Sequence, residues 1–213
     1  MLRHDKTIYI GFLLAIVFFV AGCAPSAPLA ISLAVNKVPT VPLNIGAGTK
    51  VYPSVLDQRP DQILGYRAKD FRLRYAKGFR LEYVAQGPIS VSEDVGTVIL
   101  KSLKDGLSSL GFATLTTPEP SVSKLEVAVR RLTHEVVDKS GLNHSNFSGV
   151  LTGKVYKGDK LLYEKSYDSS REHLYNHLRA SVSSGFEENF NAVVSDLMGA
   201  LFVDVELIKA LRE

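Results

Sequence analysis

Cysteine occurs once in this 213-residue sequence, at position 23, directly behind an apolar leader. The leader opens with Arg3, His4, Asp5 and Lys6, runs from Ile8 through Val20 almost without a polar residue, and ends in the small pair Ala21-Gly22. A basic start, a hydrophobic run and a small-residue end form the layout of a secretory signal. A helix that crosses a bilayer needs roughly 20 apolar residues, and this run is shorter. A retained anchor or a leader cut elsewhere also leaves the cysteine without a role. If the single thiol is consumed at the new N-terminus, the rest of the chain has no other. No disulfide can then staple the fold, and neither cysteine catalysis nor a thiolate metal site is open to it. The domain must hold together by apolar burial and hydrogen bonds.

Val20-Ala21-Gly22-Cys23 resembles the bacterial lipobox, in which a peptidase cuts just before a cysteine whose sulfur carries a diacylglycerol. The resemblance implies a signal peptide over residues 1–22 and a mature chain that begins at a fatty-acylated Cys23. Two or more acyl chains anchor stably where one is marginal. Ala24 stands where lipoproteins held in the inner membrane carry aspartate, so the implied address is the periplasmic face of the outer membrane.

The residues beyond the leader suffice for one ordinary domain, which at that size buries enough apolar surface to do without disulfides. The formal charge of the whole chain is only +3, and a nearly neutral domain has no electrostatic claim on nucleic acid. Residues 23–48 carry Pro25, Pro28, Pro39, Pro42, Gly46 and Gly48, the composition of a tether. A possible first strand lies within it, where Leu29, Ile31, Leu33 and Val35 alternate with small or polar residues. Residues 49–213 are read as a single α+β domain.

Val51 to Leu56 reads as a strand whose Pro53 belongs at an edge or a bulge. It runs into Asp57-Gln58-Arg59-Pro60-Asp61, where two carboxylates flank a guanidinium beside a restrained turn. Two readings follow. The charges form a local ion pair that brackets the turn, or Arg59 offers its fork of donors to an anionic partner. On the lipobox end, on this strand with its Asp-Gln-Arg-x-Asp-Gln segment, and on the order of elements after it, the chain resembles the YajG-type family of bacterial lipoproteins. That resemblance implies an exported lipoprotein with no established reaction and supplies no catalytic residues. The stretch from Tyr66 to Pro88 is longer than the family pattern and is rich in interleaved basic and aromatic residues, Arg72 and Arg74 among them.

Ser90, Ser92, Glu93 and Asp94 form a helix-start signal, followed by the stripe Val95, Val98, Ile99, Leu103, Leu107 and Leu110 and a glycine stop at Gly111. A meander follows. Leu125, Val127 and Val129 alternate with charged residues; Phe147, Leu151 and Val155 share a parity with Gly149 and Gly153; Gly158-Asp159 turns the chain into a strand over Leu161 to Tyr167. Phe186, Phe190, Val193, Val194, Leu197, Leu201 and Phe202 make the strongest helical stripe, and residues 203–211 either prolong that helix or form a short separate one. The expected fold is α+β, an antiparallel sheet with two main helices packed on one face.

Catalytic patterns are weak. His173 and His177 stand four apart, a spacing that on a helix would present two imidazoles to a metal, but nothing completes the set. No Gly-x-Ser-x-Gly elbow and no phosphate-cradling glycine loop is present. The reading is a non-catalytic lipoprotein without cofactor or metal, held to the membrane through Cys23 and binding another envelope protein. Candidate contacts are Asp57, Gln58, Arg59, Asp61, Arg72 and Arg74. The alternative is an amphiphile carrier with an apolar cavity beside Gly149 and Gly153. A lower-ranked reading sets the basic-aromatic patch against anionic polymer or lipid headgroups.

Overall fold

The computed structural model describes residues 28–35, 45–68, 72–75, 79–82, 85–139, 142–174 and 183–213. The lipobox with Cys23 lies outside the described residues, as does His177. Among the described residues, ten strands and three helices follow one another: β1 (Leu29–Ile31), β2 (Lys50–Asp57), β3 (Gly65–Ala68), β4 (Arg72–Tyr75), β5 (Phe79–Glu82), β6 (Ala85–Val91), α1 (Val95–Ser109), β7 (Ala113–Thr114), β8 (Ser123–Lys139), β9 (Leu142–Lys157), β10 (Lys160–Leu174), α2 (Ser183–Phe202) and α3 (Val205–Arg212). Eight strands form one curled sheet in the order β1-β6-β3-β8-β2-β7, with β9 and β10 continuing from the other side of β8. Among the described residues β4 and β5 pair only with each other, and they carry part of the basic-aromatic stretch. The side chains of Arg72 and Arg74 lie outside the described part of the structure.

The expectation of an antiparallel sheet is corrected. The sheet is mixed and mostly parallel, with β1–β6, β2–β7, β2–β8 and β3–β8 parallel and only β3–β6, β8–β9 and β9–β10 antiparallel. Period-two alternation reveals which face of a strand is buried, but not which strand lies beside it or in which direction. A parallel neighbour requires a crossover of a dozen or more residues, and here the segment containing β3 to β7 separates β2 from β8.

Pro53 sits where its missing N–H costs nothing. Gln58 N donates to Val129 O of β8 at 3.0 Å, so residues of even number direct their N–H toward β8 and Pro53 faces away. On that open side β7 pairs only as far as Val51.

A bulge between Val129 and Arg131 re-phases β8. Leu125, Val127 and Val129 point inward before it and Leu132 and His134 after it, while Arg130 and Arg131 are both exposed. An extra residue bends the bulged strand and strengthens its twist, which fits a sheet that curls around its helices.

All three helices bury their apolar stripes against the inner face. α1 is capped by Asp94, whose carboxylate accepts from Thr97 N at 2.8 Å, rather than by Ser90, which belongs to β6, or Ser92. Gly106 admits the ring of Phe202 so closely that a Cβ there would lie 2.0 Å from it. Gly149 and Gly153 serve α2 and α3 in the same way: a Cβ on Gly149 would meet Leu197 at 2.7 Å, and one on Gly153 would meet Leu207 at 3.3 Å. Phe147, Leu151 and Val155 are buried in this packing. The C-terminal segment is a helix of its own, α3, which starts at an N-cap on Asp204.

Candidate functional site

In the loop after β2, the Arg59 fork is turned onto Asp57. Its Nε donates to Oδ1 at 2.9 Å and its Nη2 to Oδ2 at 2.7 Å, while its backbone N–H reaches Oδ1 at 3.2 Å. The Arg59 side chain is only 5% exposed. Hydrogen bonding from Arg59 holds the Asp57 carboxyl below the usual range. Asp61 accepts from Ile63 N at 3.0 Å in the manner of an Asx turn, and Gln58 is exposed. The geometry is that of the ion pair that brackets a turn.

A second polar centre lies inside the sheet. His134 is 3% exposed and packs its ring against Phe147 and Phe186. Its Nδ1 lies 3.2 Å from the Tyr66 carbonyl, an acceptor only, so Nδ1 carries the proton. Nε2 then accepts from the Ser145 hydroxyl at 3.1 Å. Burial outweighs the Tyr66 bond and pushes the imidazole down to about 4, leaving it a neutral joint between β3, β9 and α2. His173 lies on strand β10 and is exposed, so the helical spacing considered for it does not form. Among the described residues, no group of three or more metal-ligating side chains comes together.

The most developed polar cluster joins the free side of β10 to the corner between α2 and α3. Tyr163, Lys165 and Tyr167 recur every second residue and so share the inner face of β10. All three converge on Oδ2 of Asp204, at 2.8, 2.7 and 3.0 Å. Oδ1 of the same carboxylate caps α3, accepting from Glu206 N at 3.1 Å and Leu207 N at 3.2 Å. Burial raises the Asp204 carboxyl, but the bonds from Lys165, Tyr163, Leu207 N–H and Tyr167 together outweigh it and hold it at about 2. Desolvation, reinforced by the adjacent carboxylate, moves Tyr167 upward. Its phenol therefore stays a donor at any ordinary pH. Four residues further along the same face, Arg171 reaches Asp196 of α2 at 2.8 Å. β10 is thus braced against the helices by two separate carboxylates.

Sequence reasoning missed this cluster, although half its signal was present. The strand over Leu161 to Tyr167 already set Tyr163 and Tyr167 on one face. Their shared acceptor lies 37 residues beyond Tyr167, at an aspartate, a residue type favoured at helix N-caps.

The same corner borders an open groove of about 570 Å³ lined by residues 165–168 of β10 and by Val203 and Val205. β10 is 15 residues long and, among the described strands, pairs only with β9. β1 and β7, the other strands that end the sheet, have three and two residues.

No curated protein matches the sequence. Solved structures to which the chain is similar include protein XCC0632 from Xanthomonas campestris, at 15% identity and TM-score 0.45 over 83% of this chain and 94% of that one. A minor lipoprotein from Acinetobacter baumannii matches at 10% identity and TM-score 0.45 over 76% and 96%. Lipoprotein GNA1162 from Neisseria meningitidis matches at 11% identity and TM-score 0.31 over 68% and 98%. The family model described as an uncharacterized lipoprotein covers residues 44–212, and the chain belongs to this YajG-type family of bacterial lipoproteins, which implies a lipid anchor.

Proposed function

We propose that this protein is a non-catalytic interaction module, tethered by acylated Cys23 to the periplasmic face of the outer membrane, that docks an envelope protein along an edge of its sheet. The observation that carries this reading is β10, a long strand that among the described residues pairs on one side only and is braced to Asp196 and Asp204. An open edge offers a row of backbone donors and acceptors to an incoming strand. Natural edges are guarded against indiscriminate pairing by charge, and β10 carries Lys160, Glu164, Lys165, Asp168, Arg171 and Glu172. The β2 edge near Pro53 is a poorer acceptor, since proline interrupts its row of donors. Tethering adds effective concentration, so a modest interface serves.

A photo-reactive side chain placed at Ser166 or Ser170 of β10 tests the reading in intact cells, with Lys101 on the exposed side of α1 as the control position. The expected result is one discrete adduct from the β10 positions and none from Lys101. Equal labelling from all three positions, or none, rejects edge docking.

A further inference from the structure

Neighbouring residues on a strand project to opposite faces. A groove touched by all four of residues 165–168 therefore opens on the edge of β10 that pairs with no other described strand. Its far wall is the α2–α3 corner, where Val203 is 56% and Val205 71% exposed. A strand laid beside β10 would turn alternate side chains toward these two valines. The remaining side chains would fall next to the outer-face row Glu164, Asp168 and Glu172, which recurs at every fourth residue of β10. Two of these acids already have partners on β9: Lys154 lies 2.9 Å from Glu164 and His144 lies 2.9 Å from Glu172. The central acid, Asp168, stands opposite uncharged Val150. The incoming strand thus meets the exposed valines Val203 and Val205, set among Lys165, Asp204 and Glu206, on one side, and Asp168 on the other.

We propose, building on the edge-docking reading, that this groove receives an extended peptide segment in which apolar side chains alternate with lysine or arginine. The apolar side chains cover Val203 and Val205, and the basic ones lie beside Asp168. Backbone pairing supplies affinity and the alternation supplies selectivity. Because the Asp196 and Asp204 braces already hold β10 in place, little ordering of this surface accompanies binding.

The test uses the mature lipoprotein in detergent micelles, titrated with fluorescent peptides of about ten residues that alternate lysine with valine or glutamate with valine. The lysine peptide is expected to bind at least about tenfold more tightly, which is about 1.4 kcal/mol. Asp168→Lys and Val203→Glu should each weaken it by a similar factor while the circular dichroism spectrum and urea midpoint stay unchanged. Both side chains are exposed, so the fold does not depend on them; Val205→Glu substitutes if either variant fails to fold. Equal binding of the two peptides, or binding untouched by the substitutions, overturns the proposal. So does a Ser166 cross-link that joins two copies of this chain. If the peptide preference is absent but Ser166 and Ser170 still label one envelope protein, the peptide chemistry is wrong and edge docking stands; if the labelling is absent as well, both fall.

Discussion

Asp204 concentrates more of the fold on one side chain than any other residue described. Removing it as Asp204→Ala deletes an N-cap, worth about 0.5–2 kcal/mol. It also leaves the Tyr167 hydroxyl buried without its acceptor, worth about 1–3 kcal/mol. The expected loss is about 3 kcal/mol by urea unfolding, against less than about 1 kcal/mol for Lys165→Ala, since that lysine is 54% exposed and its ion pair is screened by water. Similar losses from the two variants would show that the salt bridge, and not the cap and the tyrosine bonds, holds the corner. His134 makes a second prediction at this scale. The unfolded chain takes up a proton on this residue below about 6.5, whereas the folded chain does not until about 4. Its stabilising effect is therefore complete above the unfolded value and is lost as pH falls from 6.5 to 4, by roughly 3 kcal/mol in all. Urea midpoints compared at pH 7 and pH 4.5 should show this slope in the native sequence and a flatter one in His134→Gln.

Among the elements, α1 and α2 meet where Gly106 lies against the fully buried ring of Phe202. Alanine favours a helix over glycine by about 1 kcal/mol, and overpacking a core costs about 1–3 kcal/mol. With a Cβ 2.0 Å from the ring, the steric term wins. Gly106→Ala is expected to lower the unfolding free energy by about 1–2 kcal/mol, and a rise in stability would show that the ring can move aside. Several elements are legible in the sequence: the α1 and α2 stripes, the Gly111 stop, the hairpin at Gly158, and the small residues of β9 that admit a helix. Each of these is a local signal, carried by spacing or by a residue with a special backbone preference. Parallel pairing was not legible, because β2 and β8 meet across a long excursion of chain and nothing in either strand names the other. The β8 bulge left a trace in the adjacent exposed pair Arg130-Arg131, which breaks an alternation that otherwise runs from Leu125. The Asp204 cluster lay beyond local reading for the same reason as the pairing: its halves are close in space and distant in sequence.

For the whole molecule, anchorage and docking are separable. Cys23→Ser is expected to move the protein from the membrane pellet to the soluble periplasmic fraction without altering the urea midpoint of the domain. If docking depends on confinement, the Ser166 adduct should fall by about a hundredfold or more in the same variant, within the range that tethering contributes. A soluble variant that still labels its partner at full yield would mean that affinity alone sustains the complex.

The point of entry into the fold has a mechanical meaning. β1 is only three residues long and lies parallel to β6, but its chain is also fastened to α2. Glu187 accepts from Ser32 N at 3.1 Å and Asn191 accepts from Ala34 N at 2.8 Å. With an anchor at Cys23, as proposed, tension between the two ends of the protein would arrive at β1 first. It is then shared between a strand, which resists by sliding, and a helix, which resists by leverage. A shock that peels β1 away lengthens the leash by a few residues before the rest of the domain feels the load.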